Sequence, residues 1–80
     1  MTETLDHAVH KAIRLKREAF GLSRRELGRR ARLSEGYVSA LENGNLNPSF
    51  AAFSRLACAL RLTPSEIFFL VQTEASNDDD

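Results

Sequence analysis

Two short helical segments separated by a very short turn lie in the middle of this chain of 80 residues. The first begins at Ser23 in a capping box, in which the serine hydroxyl accepts a backbone N–H and Glu26 returns a hydrogen bond. The second begins at Ser34 and ends at Asn43, which is followed by a glycine that favours a helix end. The sequence therefore predicts two consecutive helices with a tight turn at Arg32.

Three further helices are indicated by the same kinds of signal, and no segment alternates polar and apolar residues for long enough to predict a strand. A first helix over residues 5–19 is predicted by apolar positions at helical spacing and by Gly21 after its end. A fourth helix is predicted to begin with Asn47 as its N-cap and Pro48 in its first turn, and a fifth with a capping box from Thr63 to Glu66. The apolar stripe predicted for the fourth helix consists of Phe50, Phe53, Leu56, Ala57 and Leu60. The expected fold is all-α, a compact domain of five helices.

Length and composition predict one small domain. We expect it to occupy residues 1–72, and we expect residues 73–80 to form a disordered acidic tail, because they have too little apolar surface to stay ordered. The single cysteine, Cys58, cannot form an internal disulfide and is expected in the core as a small apolar residue. No apolar run reaches the length of a membrane span or a signal peptide, so we expect a cytoplasmic protein without membrane association.

A net charge of zero conceals a segregation of charge along the chain. Residues 7–33 carry nine cationic side chains and two acidic ones, whereas residues 34–80 carry two arginines against seven acidic side chains. A polyanion responds to the field within a Debye length of roughly 8 Å at physiological salt, so the basic segment can attract one whatever the net charge. The alternative is that these cations form the solvated surface of helices, where arginine is common.

Two helices joined by a short turn, the second with polar groups at its start, form the arrangement called helix-turn-helix. The segment LSRRELGRRARLSEGYVSALENGNLNPSFAAFSRLACALRLTPSEIF resembles the helix-turn-helix of phage lambda-type repressors and Cro proteins, the XRE type, in a match over residues 9–70. The landmarks of the resemblance are Arg17, Leu22, Ser23, Leu27, Ser34, Val38, Leu41, Glu42, Gly44, Asn47, Pro48, Ser49 and Leu60. The resemblance implies a DNA-binding transcription regulator, such as a small phage repressor or a restriction-modification controller protein.

The resemblance also implies structural roles. Arg17 and Glu42 match a pair that, in such repressors, forms an ion pair between the first helix and the end of the third. Arg32 stands in the turn where glycine is usual, so either mild strain or a reshaped turn is expected, and its side chain could serve as an added phosphate anchor. Gly28 stands where alanine is usual, at a cost of up to about 1 kcal/mol in helix propensity. The wedge that fixes the angle between the two helices is expected to consist of Leu27, Val38 and Leu41.

Two sets of DNA contacts follow from the resemblance, one to the sugar-phosphate backbone and one to base edges. Phosphate contacts are expected from Arg24, Arg25, Arg29, Arg32, Tyr37, Asn43 and Asn45, together with N–H groups after Gly44. Base reading is expected from Ser34, Glu35, Gly36, Ser39 and Ala40, in a helix over residues 34–43 that enters the major groove. Glu35 can accept from the amino group of cytosine and Ala40 can pack on a thymine methyl, but Gly36 has no side chain, so direct readout is sparse. Tyr37 could equally cover the core.

The expected partner is double-stranded DNA with a palindromic operator, bound by a homodimer. Its interface is predicted at Phe68, Phe69 and Val71, because apolar residues 67–71 occupy nearly every direction around the last helix. The alternative is that the residues after Leu70 fold back over this apolar patch and the chain is monomeric. We expect no cofactor, no small-molecule ligand and no metal site, with His7 and His10 interpreted as surface histidines, and no residues are arranged as catalysis requires. An interaction module on the same fold, with little sequence-specific DNA binding, remains the alternative, which the acidic tail and Glu35 favour.

Overall fold

The computed structural model describes residues 2–67 and 69, with side chains described for residues 9–67 and 69. Within this part of the chain there are five helices and no strand: α1 (Thr2–Ala19), α2 (Arg24–Ala31), α3 (Glu35–Glu42), α4 (Phe50–Ala59) and α5, which covers residues 64–67 and 69. The predicted all-α fold with five helices is confirmed, and α2 followed by α3 forms the helix-turn-helix. The predicted boundary between domain and tail lies outside the described residues.

The core lies where the first four helices meet. Each of them contributes apolar residues from one side, as amphipathic helices do when they pack around a common centre. The largest fully buried side chains are Ile13, Leu27, Val38, Leu41, Leu56 and Leu60. Three of these, one from α2 and two from α3, are the residues expected to fix the angle between the two helices, and they lie in one buried cluster.

Hydroxyl side chains cap the starts of the helices that follow α1. The oxygens of Ser23, Ser34 and Ser49 accept hydrogen bonds from backbone N–H groups three residues later, at 2.9 Å, 3.0 Å and 3.1 Å. Thr63 and Glu66 form the complete capping box predicted for α5, with hydrogen bonds of 3.1 Å and 2.8 Å. These short-range contacts explain why the helices begin within a residue or two of the predicted positions.

The capping box predicted at the start of α2 is wrong in its second half. The serine hydroxyl of Ser23 acts as predicted, but the carboxylate of Glu26 accepts hydrogen bonds from Arg29, at 2.8 Å and 2.7 Å, and from Arg30, at 3.1 Å. Residues three and four positions apart are neighbours on a helix surface, and a guanidinium is a stronger donor to a carboxylate than a neutral N–H group. Two arginines on the same helix therefore take the glutamate that would have completed the cap.

The cap predicted for α4 and the surface position predicted for His10 are also wrong, for a common reason. Ser49, not Asn47, caps α4. The Asn47 side chain lies against α1 instead, with Oδ1 3.0 Å from Nε2 of His10, whose side chain is only 5% exposed. The loop between α3 and α4 thus folds back on α1, and this contact across 37 positions leaves no periodic signal in the sequence. The side chain of His7 lies outside the described residues.

The turn between α2 and α3 has a backbone conformation that glycine adopts more readily than other residues do. Arg32 has a left-handed backbone, with φ 61° and ψ 43°. The next N–H group, that of Leu33, donates to the carbonyl of Gly28 at 2.7 Å. A Cβ on Gly28 would lie 2.5 Å from the carbonyl oxygen of Leu33, so the turn packs directly on the bare backbone of α2. The glycine predicted to weaken α2 therefore permits the close approach of the turn.

The outer side of α4 differs from the predicted stripe. Phe50 is 87% exposed, Phe53 is partly buried and Ala57 is buried, so the stripe leaves the core towards the start of the helix. Cys58, predicted in the core, is exposed. It follows Ala57 directly, and one residue is a rotation of about 100° around a helix of 3.6 residues per turn. The apolar residues of α4 and their spacing do not by themselves show which of these residues the core covers.

Candidate nucleic-acid interface

The start of α3 is the most exposed part of the helix-turn-helix. Ser34, Glu35 and Gly36 are exposed, whereas Ser39 and Ala40 are partly buried. The helix has eight residues, which is about 12 Å at 1.5 Å per residue and comparable to the width of a major groove. Of the residues expected to read bases, the structure therefore exposes Ser34, Glu35 and Gly36 at the start of α3, whereas Ser39 and Ala40 lie in its second half and are less accessible.

A buried ion pair connects α1 to the end of α3. Arg17 Nε donates to Glu42 Oε2 at 2.6 Å, and its Nη2 donates to Oε1 at 3.0 Å. The third nitrogen of Arg17, Nη1, donates to the carbonyl of Leu22 at 2.8 Å. The Glu42 side chain is only 1% exposed. The two residues matched to an ion pair are therefore in bidentate contact, and the same arginine holds the turn before α2.

Arg24 also belongs to this cluster, which sequence reasoning missed. Its Nε donates to Glu42 Oε1 at 3.0 Å, while 42% of its side chain remains exposed. Arg24 was expected only as a phosphate contact. The two residues are 18 positions apart, so neither helical spacing nor capping could have indicated the contact. One carboxylate thus accepts from an arginine of α1 and from an arginine at the start of α2.

The pKa of Glu42 reflects its hydrogen bonds with two arginines. Burial by itself raises the pKa of a carboxyl, but the hydrogen bonds from Arg17 and Arg24, helped by their charges, outweigh burial and leave the pKa of Glu42 lowered. The hydrogen bond with Glu42 likewise raises the pKa of Arg17 despite its partial burial. Both shifts favour the charged forms of Glu42 and Arg17.

The remaining arginines of α2 differ in their local partners. Arg25 is exposed and makes no hydrogen bond or ion pair within the described residues. Arg29 is exposed but is held by Glu26, and hydrogen bonds from Arg29 and then Arg30 lower the pKa of Glu26. An exposed pair of this kind is weak, so Arg29 can exchange Glu26 for a phosphate at little cost. Arg32 is exposed at the opposite end of α2 from Arg24, beside Arg30 and Arg55.

The loop after α3 presents side chains more than backbone donors. Gly44 has φ 79°, and its N–H donates to the carbonyl of Leu41 at 3.0 Å. The N–H of Asn45 donates to the carbonyl of Ala40 at 2.8 Å, so this group is not available in the way the resemblance implied. The side chains of Asn43 and Asn45 are exposed. Of the predicted loop contacts, the two asparagine side chains lie open to a nucleic acid, whereas the N–H of Asn45 is already used within the protein.

Tyr37 and the residues expected at a dimer interface are placed only in part. The Tyr37 side chain is partly buried, an arrangement compatible with either predicted role. Phe69 is 64% exposed, and Leu15 and Leu62 line the same groove between α1 and α5. Phe68 and Val71 lie outside the described residues.

The arrangement of α2, a tight turn and an exposed α3 is that of a helix-turn-helix. A family model described as helix-turn-helix matches residues 13–67. Because the match covers more than half of the chain, the protein belongs to this family, in its XRE and lambda-repressor type. The family consists of DNA-binding regulators and is not typically enzymatic, so DNA is the implied class of partner. No curated protein matches the chain, and no solved structure matches it.

The described residues meet the requirements of neither a membrane span nor a metal site. None of their helices combines the length and the apolar character needed to cross a bilayer. Among the side chains that the structure describes, no three histidine, cysteine or carboxylate groups are grouped so that they could hold a metal ion.

Proposed function

We propose that the protein is a sequence-specific transcription regulator that binds palindromic operator DNA as a homodimer, with the helix over residues 34–43 in the major groove. The observation that carries the proposal is the exposure of Ser34, Glu35 and Gly36 at the start of α3, on a helix whose other end is in contact with the partly exposed Arg24 of α2. This combination supplies base contacts and phosphate contacts from adjacent elements. We further propose that it acts as a repressor in the cytoplasm, without a cofactor or a small-molecule ligand.

The base contacts would come from a small set of groups. Glu35 accepts a hydrogen bond from the amino group of cytosine, and Ala40 packs on the methyl group of thymine. Ser34 Oγ already accepts from the N–H of Tyr37, but its hydroxyl hydrogen remains able to donate. Gly36 and Ser39 complete the surface, where Gly36 permits close approach of the DNA.

The phosphate contacts would come from α2 and from the loop after α3. Arg24 lies at the first position of α2, and its hydrogen bond to Glu42 restricts the position of its guanidinium. An arginine that is already positioned loses less side-chain entropy when it binds a phosphate. Arg25 has no partner among the described residues to give up. The other proposed phosphate contacts are Arg29, Arg32, Tyr37, Asn43 and Asn45.

The proposed dimer would form through α5. Phe69 is largely exposed, and an exposed aromatic side chain beside other apolar groups is typical of an interaction surface. Phe68 and Val71 are proposed to extend the same interface. A twofold axis through α5 would place two copies of α3 about 34 Å apart, one turn of B-DNA, which explains why a palindromic site is expected.

A module that binds protein rather than DNA is the second candidate, and the exposed carboxylate of Glu35 favours it. An acidic side chain at the tip of α3 is repelled by phosphates unless it finds a cytosine amino group. The two candidates therefore differ in what Glu35 does on contact with DNA. For a protein-binding module, duplexes of all sequences would bind equally weakly.

A binding selection from randomised duplex DNA tests the proposal. We expect enrichment of one sequence with twofold symmetry, together with a changed preference at one position of each half-site for Glu35→Gln. Arg14→Gln is a suitable control, because Arg14 is exposed on α1 and outside the proposed base-reading set. Absence of enrichment would reject sequence-specific binding, and enrichment of an asymmetric site would reject the twofold arrangement. An unchanged preference for Glu35→Gln would remove Glu35 from base reading.

A further inference from the structure

Three arginines surround a depression between the end of α2 and the outer side of α4. Its volume is about 470 Å³. The lining consists of Arg30, Arg32, Ser54, Arg55, Cys58 and Ala59. No lining residue is acidic, and of the three arginines Arg30 alone forms an ion pair, with Glu26 outside the lining. A concave surface of this composition attracts anionic groups.

The hydrogen bonds of the three arginines leave most of their donors unused. Arg55 Nε donates to the carbonyl of Ala31 at 2.8 Å, and Arg30 Nε donates to Glu26 at 3.1 Å. Both guanidinium groups keep their Nη hydrogens, which form the fork that matches a carboxylate. Arg32 makes no side-chain hydrogen bond or ion pair with any described residue. The depression therefore combines two arginines fixed through Nε with one that can adjust.

The depression is distinct from the proposed phosphate contacts at the start of α2. Arg24 is the first residue of α2 and Arg32 follows its last residue. A helix of eight residues is about 12 Å long, so the side chains at the two ends of α2 belong to different surfaces of the protein. Arg30 and Arg55, which line the depression, were not among the residues expected to contact DNA.

We propose that this depression binds the acidic segment over residues 74–80 of the same chain. That segment carries Glu74, Asp78, Asp79 and Asp80 and has no cationic side chain. It complements the three arginines in charge, and it needs no apolar core in order to associate with them. The proposal does not rest on DNA binding, because it concerns contacts made by the protein alone, but Arg32 belongs both to the depression and to the proposed phosphate contacts.

The chain is long enough for this contact. Eleven residues follow position 69. An extended chain spans about 3.3 Å per residue, or roughly 36 Å for a segment of this length. The largest extent of the protein is itself 36 Å. The route is short as well, because Ile67 lines an apolar groove that shares Ser54 and Cys58 with the depression.

Attachment to the same chain makes weak contacts sufficient. Single exposed ion pairs are weak, but a tethered segment experiences an effective concentration in the millimolar range, so several such pairs can act together. Contacts of this kind are screened by salt and disappear at about 1 M, where the Debye length is about 3 Å. The association is therefore expected to depend strongly on salt and not on protein concentration.

Nuclear magnetic resonance of the full chain without DNA tests the proposal. The comparison is with a variant in which Glu74→Gln, Asp78→Asn, Asp79→Asn and Asp80→Asn remove the acidic charges. We expect shifts in the backbone amides of residues 54–59 and in the Nε–H signals of Arg30 and Arg55. These shifts should vanish at about 1 M salt. Arg32→Gln should reduce them, whereas Lys11→Gln, on the exposed side of α1, should leave them unchanged.

Three outcomes would overturn the proposal. Identical spectra of the two chains would show that the acidic segment does not bind the protein. Shifts confined to Arg24 and Arg25 would place the segment at the start of α2 and not in the depression. Shifts that grow with protein concentration would show that the segment binds a second copy and not its own chain. These spectra are recorded without DNA, so they test the proposal whether or not the protein binds an operator.

Discussion

Arg24 Nε lies 3.0 Å from Glu42 Oε1, so a residue proposed to hold DNA also completes the buried ion pair that joins α1 to α3. The carboxylate of Glu42 accepts from two arginines, of which Arg17 is buried and Arg24 is partly exposed. A change of the Arg24 side chain is therefore expected to affect both the proposed DNA binding and the stability of the fold. Variants in this cluster must be measured for both properties before either effect is assigned.

The first prediction compares Arg24→Gln with Arg25→Gln. If both arginines contact phosphates, each variant should reduce the slope of log affinity against log salt by about 0.9 and weaken binding to all duplexes alike. Only Arg24→Gln should also lower the free energy of unfolding, by about 1 kcal/mol, because a charge-assisted hydrogen bond is lost. Binding at several salt concentrations and urea unfolding measure the two effects. Unchanged slopes would remove the start of α2 from the interface.

The second prediction concerns pH. Folding lowers the pKa of Glu42, so the unfolded chain binds its proton more readily than the folded chain does. The stabilisation is fully present above the pH at which an unfolded glutamate titrates, about 4.3, and is lost as pH falls through the lower folded value. Glu42→Gln should lower the free energy of unfolding by roughly 3 kcal/mol at neutral pH, since it leaves Arg17 uncompensated.

Urea unfolding as a function of pH checks this expectation. The difference between the wild type and Glu42→Gln should shrink as the pH falls towards the acid range. Glu26→Gln is the matched control, because the Glu26 pair is exposed and should contribute far less. A constant difference over the whole pH range would mean that ionisation of Glu42 is not what stabilises the cluster.

Local signals predicted the helices well because they depend on residues that are close in sequence. The caps at Ser23 and Ser34 and the capping box at Thr63 need only three or four residues to act. The same local reasoning failed for Asn47, which has the right residue type for a cap but is held by His10 across 37 positions. Residue type identifies what a side chain can do, and the packing of distant elements decides what it does.

The candidate site was predictable to a different degree. The contact between Arg17 and Glu42 was expected from resemblance and not from spacing, and the two side chains are in contact. The addition of Arg24 could not be expected, because it depends on how the start of α2 is placed beside the end of α3. The exposure of Cys58 and Phe50 was missed for a similar reason. Amphipathic spacing shows that α4 has an apolar side, but not where along the helix the core ends.

The third prediction uses two glycines as a matched pair. Gly28→Ala would place Cβ 2.5 Å from the carbonyl oxygen of Leu33, and a backbone atom cannot move away as a flexible side chain can. We expect a loss of about 1–3 kcal/mol, despite the better helix propensity of alanine. Gly36→Ala meets only Ser34 Oγ at 3.9 Å and should stabilise the fold by up to about 1 kcal/mol. Thermal or urea unfolding measures both variants. Equal effects of the two would contradict the close approach of the turn to α2.

The fourth prediction concerns the left-handed backbone of Arg32. With φ 61°, a side chain with Cβ is less favourable than glycine by about 1 kcal/mol, so Arg32→Gly should raise the free energy of unfolding by up to that amount. Gly21→Ala is the reciprocal test, because Gly21 has φ 71° and a Cβ there would contact nothing within 4 Å. Its expected loss, about 1 kcal/mol, is therefore purely conformational. A destabilised Arg32→Gly would show that the side chain contributes more than its backbone costs.

The fifth prediction concerns assembly. Phe69→Glu should give monomers that bind a palindrome far more weakly than the wild type, because a charge cannot be buried in an apolar interface. Phe50→Glu is the control, since Phe50 is even more exposed but lies at the start of α4. Sedimentation over a range of protein concentrations, with and without operator DNA, measures both variants. A wild-type chain that stays monomeric would exclude the dimer, and monomers from Phe50→Glu alone would move the interface to α4.

The anchoring of the helix-turn-helix on α1 limits how the domain can be engineered. Arg17 holds Glu42 and the carbonyl before α2, and His10 holds the loop that follows α3. A graft of α2 and α3 alone onto another scaffold would leave a buried carboxylate and an asparagine loop without the groups that position them. Retargeting is therefore better attempted in place, by exchanging exposed positions at the tip of α3 and leaving α1 as it is. In this protein the helix-turn-helix is held in place by contacts with α1 and is not a segment that can be moved by itself.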